Sequence, residues 1–514
     1  MKQLKTLYDN QPITIILFVT ILLRVFAALL SQGYAMHDDH FLVIESSSSW
    51  SNGYDYNNWL PAAQQDLVDK GIKAELRPEG HSLVYPGLHY LLFETMNYFG
   101  LENPKIQMLV IRFLHALLGV WLVWLVFVLS KRLTCDKNAR LIAWVSAVGW
   151  AMAFLSVRNL VEIACIPFMI LSLIQVHKGM SQAPIKYGII AGIYISLAIS
   201  IRYQLFVFFG VLGLILLFQK RRDLALSMLL GFVLGFGLLQ GVLDYLIWGY
   251  PFAEMIEYFT YNSGDARYDY AQANASFFGL NYWLVLAFVT VPVLGVFWFF
   301  GFFTQWRKNF WLFAPAFAFL LFHMAYINLQ ERFIFPIMHV VLILGIIGWN
   351  DFKLSSKFWK AKSRLWNGIK QLSWSLNLLL LIFATSYYGK KARVEAAFFL
   401  YTENSFNGAY QENINDGYIP LLPMHYARKW DFEFRQIMNV QDWEANQYIA
   451  SSPRLIFFHG SENLNKRVEI AETYLGSMVM LSSFQPSWQD KLIQWINPIN
   501  RNDAIYLYLV SSEH

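Results

Sequence analysis

Four titratable side chains stand in a row in the segment YAMHDDHFLV, residues 34–43. Asp38 and Asp39 lie between His37 and His40, shortly after the apolar run ITIILFVTILLRVFAALLSQ. Such a quartet could supply a general base, contribute ligands to a metal ion, or simply be solvated in a polar loop. The choice among these three interpretations depends on the elements around the quartet.

The metal interpretation needs several ligands that the fold brings together. His37 and Asp39 would supply two, but the sequence carries no dedicated cluster of His, Cys and carboxylate residues elsewhere. The two cysteines fall in different settings, Cys135 in a basic segment and Cys165 in an apolar run, so no disulfide framework is predicted. We therefore predict no bound metal and no cofactor.

Further polar residues interrupt or end apolar stretches. A charged side chain in an apolar stretch is costly and needs a reason. Any one of these residues could be half of a structural ion pair, or an arginine that extends to the membrane interface. They are Arg112, Arg158, Asn159, Glu162, Arg202, Asp244, Glu331 and Arg332.

The composition indicates a membrane protein. Of the 514 residues, 56% are hydrophobic and only 15% are charged, whereas a soluble domain carries about 25% charged residues. Runs of roughly 20 apolar residues recur, and each can cross a hydrocarbon core about 30 Å thick. The first run is too long for the apolar part of a signal peptide, so we expect a retained helix.

The segments between the apolar runs separate by charge. The basic ones are expected in the cytoplasm, with the N-terminus, by the positive-inside rule. They are 131–140, 219–223, 306–308 and 353–370. Segments 33–83 and 250–277 are acidic, and we expect both outside.

Helices threaded between these segments predict an all-α polytopic membrane domain over 1–389 with about eleven transmembrane helices. The predicted spans lie near 12–32, 107–130, 140–156, 162–177, 186–201, 203–219, 224–248, 279–303, 310–327, 333–349 and 372–389. The apolar piece 85–100 is short and contains Pro86, His89 and Glu94. We predict that it is an interfacial or re-entrant helix of the first extracytoplasmic loop, 33–106.

The composition changes after residue 389. The stretch YTENSFNGAYQENINDGYIP is polar and rich in turn residues, whereas RLIFFHG and AIYLYLV have the apolar patterns of strands. We therefore predict a soluble, extracytoplasmic domain of mixed α/β character over 390–514.

This topology puts the quartet at the outer membrane face, on the side to which Arg158, Asn159, Glu162, Arg202, Asp244, Glu331 and Arg332 also map. Polar residues gathered at one face favour a cavity that binds an anion. An enzyme outside the cytoplasm has no ATP or nucleotide sugar and needs a donor activated on a lipid. One carboxylate of the quartet could then deprotonate an acceptor hydroxyl while a polyprenyl phosphate leaves.

The ordered series of motifs resembles glycosyltransferase family 22, the polytopic mannosyltransferases of the GT-C fold. That family carries a His-Pro-Asp-Glu type motif after its first helix, where this chain has His37 to His40. LRPEGHSLVYPGLHYLL resembles the family's Arg/Ser-Tyr-Pro segment, and IRFLHALLGV resembles its Arg-Leu-x-x-Ala-Leu-Leu helix.

The resemblance continues further along the chain. Asn159 and Glu162 match an Asn-x-x-Glu pair, and Arg202 matches an Ile-Arg-Pro-Thr-like site. DYLIWGYP (244–251) resembles an Asp…Tyr-Gly segment, and ERFIFP (331–336) an Arg-Phe-x-x-Pro signature. The order agrees over residues 12–349.

The resemblance implies an inverting transferase that moves a sugar from a polyprenyl-phosphate donor to a glycan or glycolipid acceptor. The sugar that the family implies is mannose. It implies no metal and no nucleic-acid partner. Asp39 falls at the family's Asp position and would be the general base, with Asp38 orienting or tuning it. The remaining residues would bind donor or acceptor, with the arginines on the donor phosphate: His37, His40, Arg112, Asn159, Glu162, Arg202, Asp244, Glu331 and Arg332.

The chain departs from the family pattern at three places. Asp38 replaces a proline, and His40 replaces an acidic residue. Residues 328–330 read Asn-Leu-Gln where the family has His-Lys-Glu before Arg-Phe. Since those basic groups are suited to contact donor phosphate, the identity of the donor stays open.

Two other functions stay open at this point. A transporter or flippase of lipid-linked glycans would show paired halves and helices broken at the midplane, and the sequence shows no internal symmetry. A binding or assembly protein with a decayed enzymatic site is the other. The absence of an endoplasmic-reticulum retrieval signal and of disulfides favours a bacterial inner membrane, with a periplasmic site, over the endoplasmic reticulum.

Overall fold

The computed structural model describes residues 11–264, 280–326, 329–403, 405–446, 454–498 and 500–511. The chain forms two units. The first contains Met1–Leu29, Asn58–Leu88 and Ile111–Thr385, and the second contains Leu30–Asn57, His89–Val110 and Ser386–His514. The segment with the His-Asp-Asp-His quartet therefore belongs to the same unit as the C-terminal residues.

Helices dominate the chain up to residue 385. In chain order they are Pro12–Leu30, Asp39–Glu45, Ser46–Trp50, Pro61–Asp69, Val84–Tyr98, Pro104–Leu133, Asp136–Val148, Trp150–Leu155, Val161–Ala164, Ile166–Gly179, Pro184–Ile201, Leu205–Phe218, Arg222–Phe236, Gly237–Gly241, Val242–Trp248, Ala253–Ser263, Leu280–Phe288, Leu294–Thr304, Phe310–Ala325, Glu331–Ile337, Met338–Ser355, Lys357–Ala361 and Ser363–Thr385. Asp39–Glu45 and Gly237–Gly241 are π-helical, and Glu331–Ile337 is a 3₁₀-helix.

Within the described residues, seven helical stretches are long and apolar enough to cross a membrane. They are Pro12–Leu30, Pro104–Leu133, Val161–Gly179, Pro184–Ile201, Arg222–Trp248, Glu331–Ser355 and Ser363–Thr385. Shorter apolar helices are Leu205–Phe218, Leu294–Thr304 and Phe310–Ala325. The polytopic helical fold predicted from hydropathy is confirmed, whereas the count of eleven spans and the charge-based orientation stay predictions.

Local sequence signals explain where several of these helices begin and end. Pro12, Pro104 and Pro184 each stand at the first position of a helix, where the missing N–H of proline removes no hydrogen bond. Lys131 and Arg132 lie in the last turn of Pro104–Leu133, where their charge complements the negative end of the helix dipole.

Glycines let helices of the first unit pack closely. A Cβ at Gly192, on Pro184–Ile201, would lie 2.1 Å from the carbonyl oxygen of Met228. A Cβ at Gly231, on the facing helix, would lie 2.2 Å from the carbonyl oxygen of Ile189. Without hydrophobic drive between helices in lipid, such close backbone contact is a main source of association.

The second unit contains a five-stranded sheet. Its strands are β1 Gly408–Glu412, β2 Glu433–Ile437, β3 Leu455–His459, β4 Met478–Phe484 and β5 Ile505–Val510, in the order β2-β1-β3-β5-β4. β1 pairs in parallel with β2 and β3, whereas β5 is antiparallel to β3 and β4. The helices are Lys391–Thr402, Met424–Tyr426, Gln441–Asn446, Leu464–Leu475 and Trp488–Ile496. The predicted α/β character of the C-terminal domain is confirmed.

The core of this sheet explains why its strands could be recognised from sequence. All five residues of β3 are buried, so the strand is a continuous apolar run rather than an alternating one. Tyr410, Ile456 and Phe458 pack with Trp443 of the Gln441–Asn446 helix. β3 and β5 coincide with the predicted strand segments RLIFFHG and AIYLYLV.

Three segments differ in local structure from their predicted form. The quartet was expected in a loop but lies on a helix that begins at His37 and runs to Trp50. The basic segment 353–370 is largely helical, because Lys357–Ala361 and Ser363–Thr385 follow the preceding helix after single residues. The expected span 279–303 is divided between Leu280–Phe288 and Leu294–Thr304.

Candidate active site

The quartet begins a helix whose first part is wound as a π-helix. Asp39 opens the π-helical segment, and its side chain is buried, whereas Asp38 is partly exposed. His37 is exposed and stacks on Phe41 at 4.3 Å between ring centroids. The two adjacent carboxylates thus lie in different environments, and π-helical turns occur frequently at functional sites.

The π-helix brings His40 and Glu45 together. A π-helix bonds residues five apart, and His40 Nε2 lies 3.0 Å from Glu45 Oε1. The other carboxyl oxygen of Glu45 accepts a hydrogen bond of 2.6 Å from the backbone N–H of His425. Nδ1 of His425 lies 2.9 Å from the Ser48 hydroxyl. Within the second unit, the quartet's helix is therefore tied to the C-terminal residues.

Burial shifts the pKa values of this network toward the uncharged forms. It lowers the pKa of His40 to about 3 and raises the pKa of Glu45 well above its usual value. Burial also lowers the pKa of His425 well below its usual value. For both side chains burial therefore favours the uncharged form, because an ion is costly to bury.

In the first unit, a buried carboxylate lies between two arginines. Glu162 is fully buried, and its Oε1 lies 3.1 Å from Arg202 Nη2 and 3.7 Å from Arg332 Nε. The Arg202 guanidinium also lies over the Phe333 ring, 4.9 Å from its centroid. Taken by themselves, these three side chains carry two formal positive charges and one formal negative charge.

Gln330 fixes one of the two arginines. Arg332 Nε donates a hydrogen bond of 2.9 Å to Gln330 Oε1. Gln330 is one of the three residues, 328–330, that stand where the family has His-Lys-Glu; Asn328 lies outside the described residues. The neutral amide therefore supports an arginine at a place where the family has a charged side chain.

Asp244 lies in a different polar network of the same unit. Its Oδ1 accepts a hydrogen bond of 2.8 Å from Gln240, and its Oδ2 accepts one of 3.1 Å from the backbone N–H of Glu254. The Oε1 of Gln240 in turn accepts a hydrogen bond from the Ser82 hydroxyl at 2.9 Å. These bonds connect the helix that carries Asp244 to Glu254 of the next helix, and the donor or acceptor contact of Asp244 stays a prediction.

Glu254 extends this network to the segment that precedes Val84–Tyr98. Its Oε2 accepts hydrogen bonds from the backbone N–H groups of Gly80 and His81 at 2.8 and 3.1 Å. Its Oε1 accepts one of 2.8 Å from the Trp248 indole. Gly80 has φ +74°, a conformation that favours glycine. Burial raises the pKa of Glu254 to about 7.

The other predicted site residues differ in burial. Arg112 is buried and donates a hydrogen bond of 2.8 Å to the carbonyl oxygen of Ala28. Arg158 is buried with its guanidinium 4.8 Å from the Phe154 ring centroid. Asn159 is partly buried, and Glu331 is exposed. No group of three or more His, Cys, Asp or Glu side chains suited to a metal ion occurs among the residues that the structure describes.

A protein-family model matches most of this sequence. The model described as the Alg9-like mannosyltransferase family matches residues 14–414, well over half of the chain. The chain belongs to the Alg9-like mannosyltransferase family. It is therefore a glycosyltransferase and a multi-pass integral membrane protein, so the transporter interpretation is set aside. No curated protein sequence matches the chain significantly.

Solved structures of membrane glycosyltransferases share the fold. ArnT from Cupriavidus metallidurans bound to undecaprenyl phosphate aligns with a TM-score of 0.60 at 12% identity, covering 97% of this chain and 98% of ArnT. The oligosaccharyltransferase of Archaeoglobus fulgidus, in a complex with Zn and sulfate, aligns with a TM-score of 0.54 at 12% identity, covering 91% of this chain and 72% of that chain. This member of the Alg9-like mannosyltransferase family therefore has the GT-C fold.

Several residues of these networks were not singled out from the sequence. Glu45 would lie on a different face from His40 in an α-helix, and only a π-helix aligns them. His425 lies in a 3₁₀ turn, Met424–Tyr426, with no motif around it. Gln240 and Glu254 carried a weak signal, since both flank the DYLIWGYP segment that the family resemblance identified.

Proposed function

We propose that this membrane glycosyltransferase transfers mannose from a polyprenyl-phosphate donor to a glycan or glycolipid acceptor, with inversion at the anomeric carbon. The observation that carries the proposal is the pair of differently buried carboxylates, Asp38 and Asp39, at the family's motif position. The family match supports mannose as the sugar. ArnT, which shares the fold, is a protein whose structure holds undecaprenyl phosphate, and this supports a lipid-phosphate donor.

Asp39 is the general base in this proposal. Its carboxylate takes the proton of an acceptor hydroxyl, whose oxygen forms a bond to the anomeric carbon. The bond between that carbon and the phosphate oxygen breaks, and polyprenyl phosphate leaves with the electron pair. A direct displacement of this kind inverts the anomeric carbon. Asp38, which is partly exposed, orients or tunes this base, because a nearby like charge raises the pKa of a carboxyl group.

Arg202 and Arg332 are the proposed ligands of the donor phosphate. Together with Glu162 they carry two formal positive charges and one formal negative charge, which suits an anion. A guanidinium can bind two phosphate oxygens at once, which gives direction as well as charge. Gln330 and the Phe333 ring hold the two guanidinium groups in place, so little conformational freedom is lost when an anion binds.

The proposed location of the reaction is the outer face of the membrane, and a bacterial inner membrane with a periplasmic site is the proposed compartment. The charge separation of the connecting segments supports the outer face. A donor held in the bilayer by its polyprenyl chain would deliver its sugar at this surface, so no soluble activated sugar is needed.

The proposal is tested with purified protein in proteoliposomes, supplied with radiolabelled polyprenyl-phosphate mannose and a panel of glycan and glycolipid acceptors. We expect mannose transfer by the wild-type protein and a loss of 10²–10⁴-fold in kcat for Asp39→Asn, the usual contribution of a general base. Asp38→Asn should lose less. Asp66→Asn, at an exposed aspartate of the Pro61–Asp69 helix, is the matched control and should be fully active.

Two outcomes would contradict the assignment. If Asp38→Asn is inactive while Asp39→Asn retains normal turnover, the base is Asp38. If both variants transfer mannose at the wild-type rate, the quartet has no catalytic role. Absence of transfer by the wild-type protein with mannose, but transfer with another polyprenyl-phosphate sugar, would keep the reaction and replace the sugar.

A further inference from the structure

The C-terminal helix Trp488–Ile496 has its two faces turned opposite to those of an ordinary surface helix. Gln489 and Asp490 are buried, with Asp490 fully enclosed. The apolar side chains on the other face are exposed to a large fraction of their area: Trp488 62%, Leu492 38%, Trp495 80% and Ile496 68%. Along the chain these four residues follow one another at intervals of four, three and one residues, which puts them on one stripe of an α-helix.

The buried polar face is held by hydrogen bonds within the second unit. The Gln489 side chain donates to the backbone oxygen of Ser386 at 3.2 Å. Asp490 accepts hydrogen bonds from the Tyr387 hydroxyl at 2.9 Å and from the backbone N–H groups of Lys390 and Lys391, both at 3.1 Å. Because these bonds fix the rotation of the helix, its apolar stripe cannot turn inward.

The residues that hold the helix come directly after a helix that is long and apolar enough to cross a membrane. Ser386 follows Ser363–Thr385, one of the helices able to cross a membrane. In the same unit, Gly389 donates a backbone hydrogen bond of 3.1 Å to Gln32, two residues after the end of Pro12–Leu30. The segment after Pro12–Leu30 and the segment after Ser363–Thr385 are therefore hydrogen-bonded to each other next to Ser386 and Tyr387, which hold the helix.

We infer that the exposed stripe of Trp488–Ile496 lies in the interfacial layer of the lipid bilayer. The residues that hold the helix, Ser386 and Tyr387, are the first two residues of the chain after the apolar helix Ser363–Thr385. Trp488 and Trp495 are the side chain type that membrane interfaces favour. The neighbouring Lys491 is exposed at the edge of the stripe, where its ammonium group can reach lipid phosphates.

A protein partner fits this stripe less well than lipid does. A stable protein interface uses about 20–30 residues from each side, whereas the stripe offers four side chains of one short helix. Burying large apolar side chains in the membrane interface requires no complementary shape. The helix therefore holds the C-terminal domain against the surface of the bilayer and does not connect it to another protein.

The test measures the depth of spin labels on the full-length protein in nanodiscs. In a Cys135→Ser background, in which the remaining cysteine, Cys165, is buried, single labels are attached at Trp495→Cys and Leu492→Cys. The matched control is Met438→Cys, at an exposed apolar residue of the same unit. Accessibility to oxygen, which concentrates in lipid, is compared with accessibility to a water-soluble nickel chelate.

We expect both helix labels to collide more with oxygen than with the nickel chelate, and the label at residue 438 to show the reverse. The two helix positions are independent, so a poorly folding variant at one leaves the other informative. Greater collision with the nickel chelate at 492 and 495 would overturn the inference, because the stripe would face water. Protection from both reagents would also overturn it, because a protein would then cover the stripe.

Discussion

At the scale of single residues, Arg332 gives the sharpest expectation for the donor site. Arg332→Ala removes one of two cations that share Glu162 and leaves one formal charge of each sign on Arg202 and Glu162. A hydrogen bond to a charged group is worth roughly 1.5–3 kcal/mol. The apparent KM for the polyprenyl-phosphate donor should therefore rise at least about tenfold, as measured in the mannose-transfer assay.

Two further variants show whether the loss of donor affinity is specific to the Arg332 guanidinium. Arg332→Lys should recover only part of the donor affinity, since lysine keeps the charge but lacks the planar fork. Arg140→Ala, at a surface arginine 3.1 Å from Asp136, should bind the donor normally. A wild-type donor KM in Arg332→Ala would remove this residue from the donor site.

The sequence predicted some of these residue-level contacts and not others, for a physical reason. Hydropathy shows where apolar stretches are interrupted or end, and on that ground Glu162, Arg202, Asp244 and Arg332 were grouped together. It does not give the direction in which each helix faces. Three of these residues meet in one cluster, whereas Asp244 bonds to Gln240 and Glu254 because its helix faces another neighbour.

At the scale of elements, Glu254 predicts a stability that depends on pH. Burial raises its pKa to about 7, above the usual pKa of roughly 4.3 for an unfolded glutamate. The folded protein therefore binds this proton more tightly, so the stabilisation is complete below about pH 4 and is lost as the pH rises through 7. The melting temperature in detergent should fall between pH 5 and pH 8.

The effect can be assigned by substitution. Glu254→Gln cannot ionise and should show a weaker dependence of the melting temperature on pH over the same range. Glu257→Gln, on the same helix, should keep the wild-type dependence. An equal slope in the wild-type protein and Glu254→Gln would show that another group is responsible.

Close packing of two helices predicts a second effect at this scale. Gly192→Ala would put a methyl group 2.1 Å from the Met228 carbonyl oxygen, so the helices must separate and lose packing. The melting temperature should fall by several degrees. Gly210→Ala is the matched control, because a Cβ there would meet open space; it should leave the melting temperature unchanged or raise it slightly. Equal melting temperatures for the two variants would contradict the packing argument.

Element type was easier to predict than element boundaries. Apolar runs of about 20 residues fixed the helices, since the backbone must satisfy its own hydrogen bonds in lipid. The π-turn at Asp39–Glu45 could not be predicted, because it depends on the contacts of Glu45 with His40 and His425. The last of these is 380 residues away in the chain, and no local pattern encodes it.

At the scale of the whole molecule, the division into units differs from the order of the sequence. The second unit combines Leu30–Asn57 and His89–Val110 with everything after Ser386. Sequence composition separated 1–389 from 390–514, because it measures polarity along the chain. It could not assign Leu30–Asn57 and His89–Val110 to the C-terminal unit, since such an association rests on bonds like the one between Glu45 and His425.

The predicted orientation of the molecule can be tested on two exposed sites. Cys135 lies in the basic segment 131–140 and is exposed, so the positive-inside rule places it in the cytoplasm. Ser483, on β4, is exposed and belongs to the domain expected outside.

A membrane-impermeant maleimide added to intact cells should label a Ser483→Cys variant but not the wild-type protein, whereas Cys135 should react only after permeabilisation. Cys165 is buried and should stay unlabelled in the folded protein. Labelling of Cys135 from outside in intact cells would reverse the orientation and would put the His-Asp-Asp-His quartet on the cytoplasmic side.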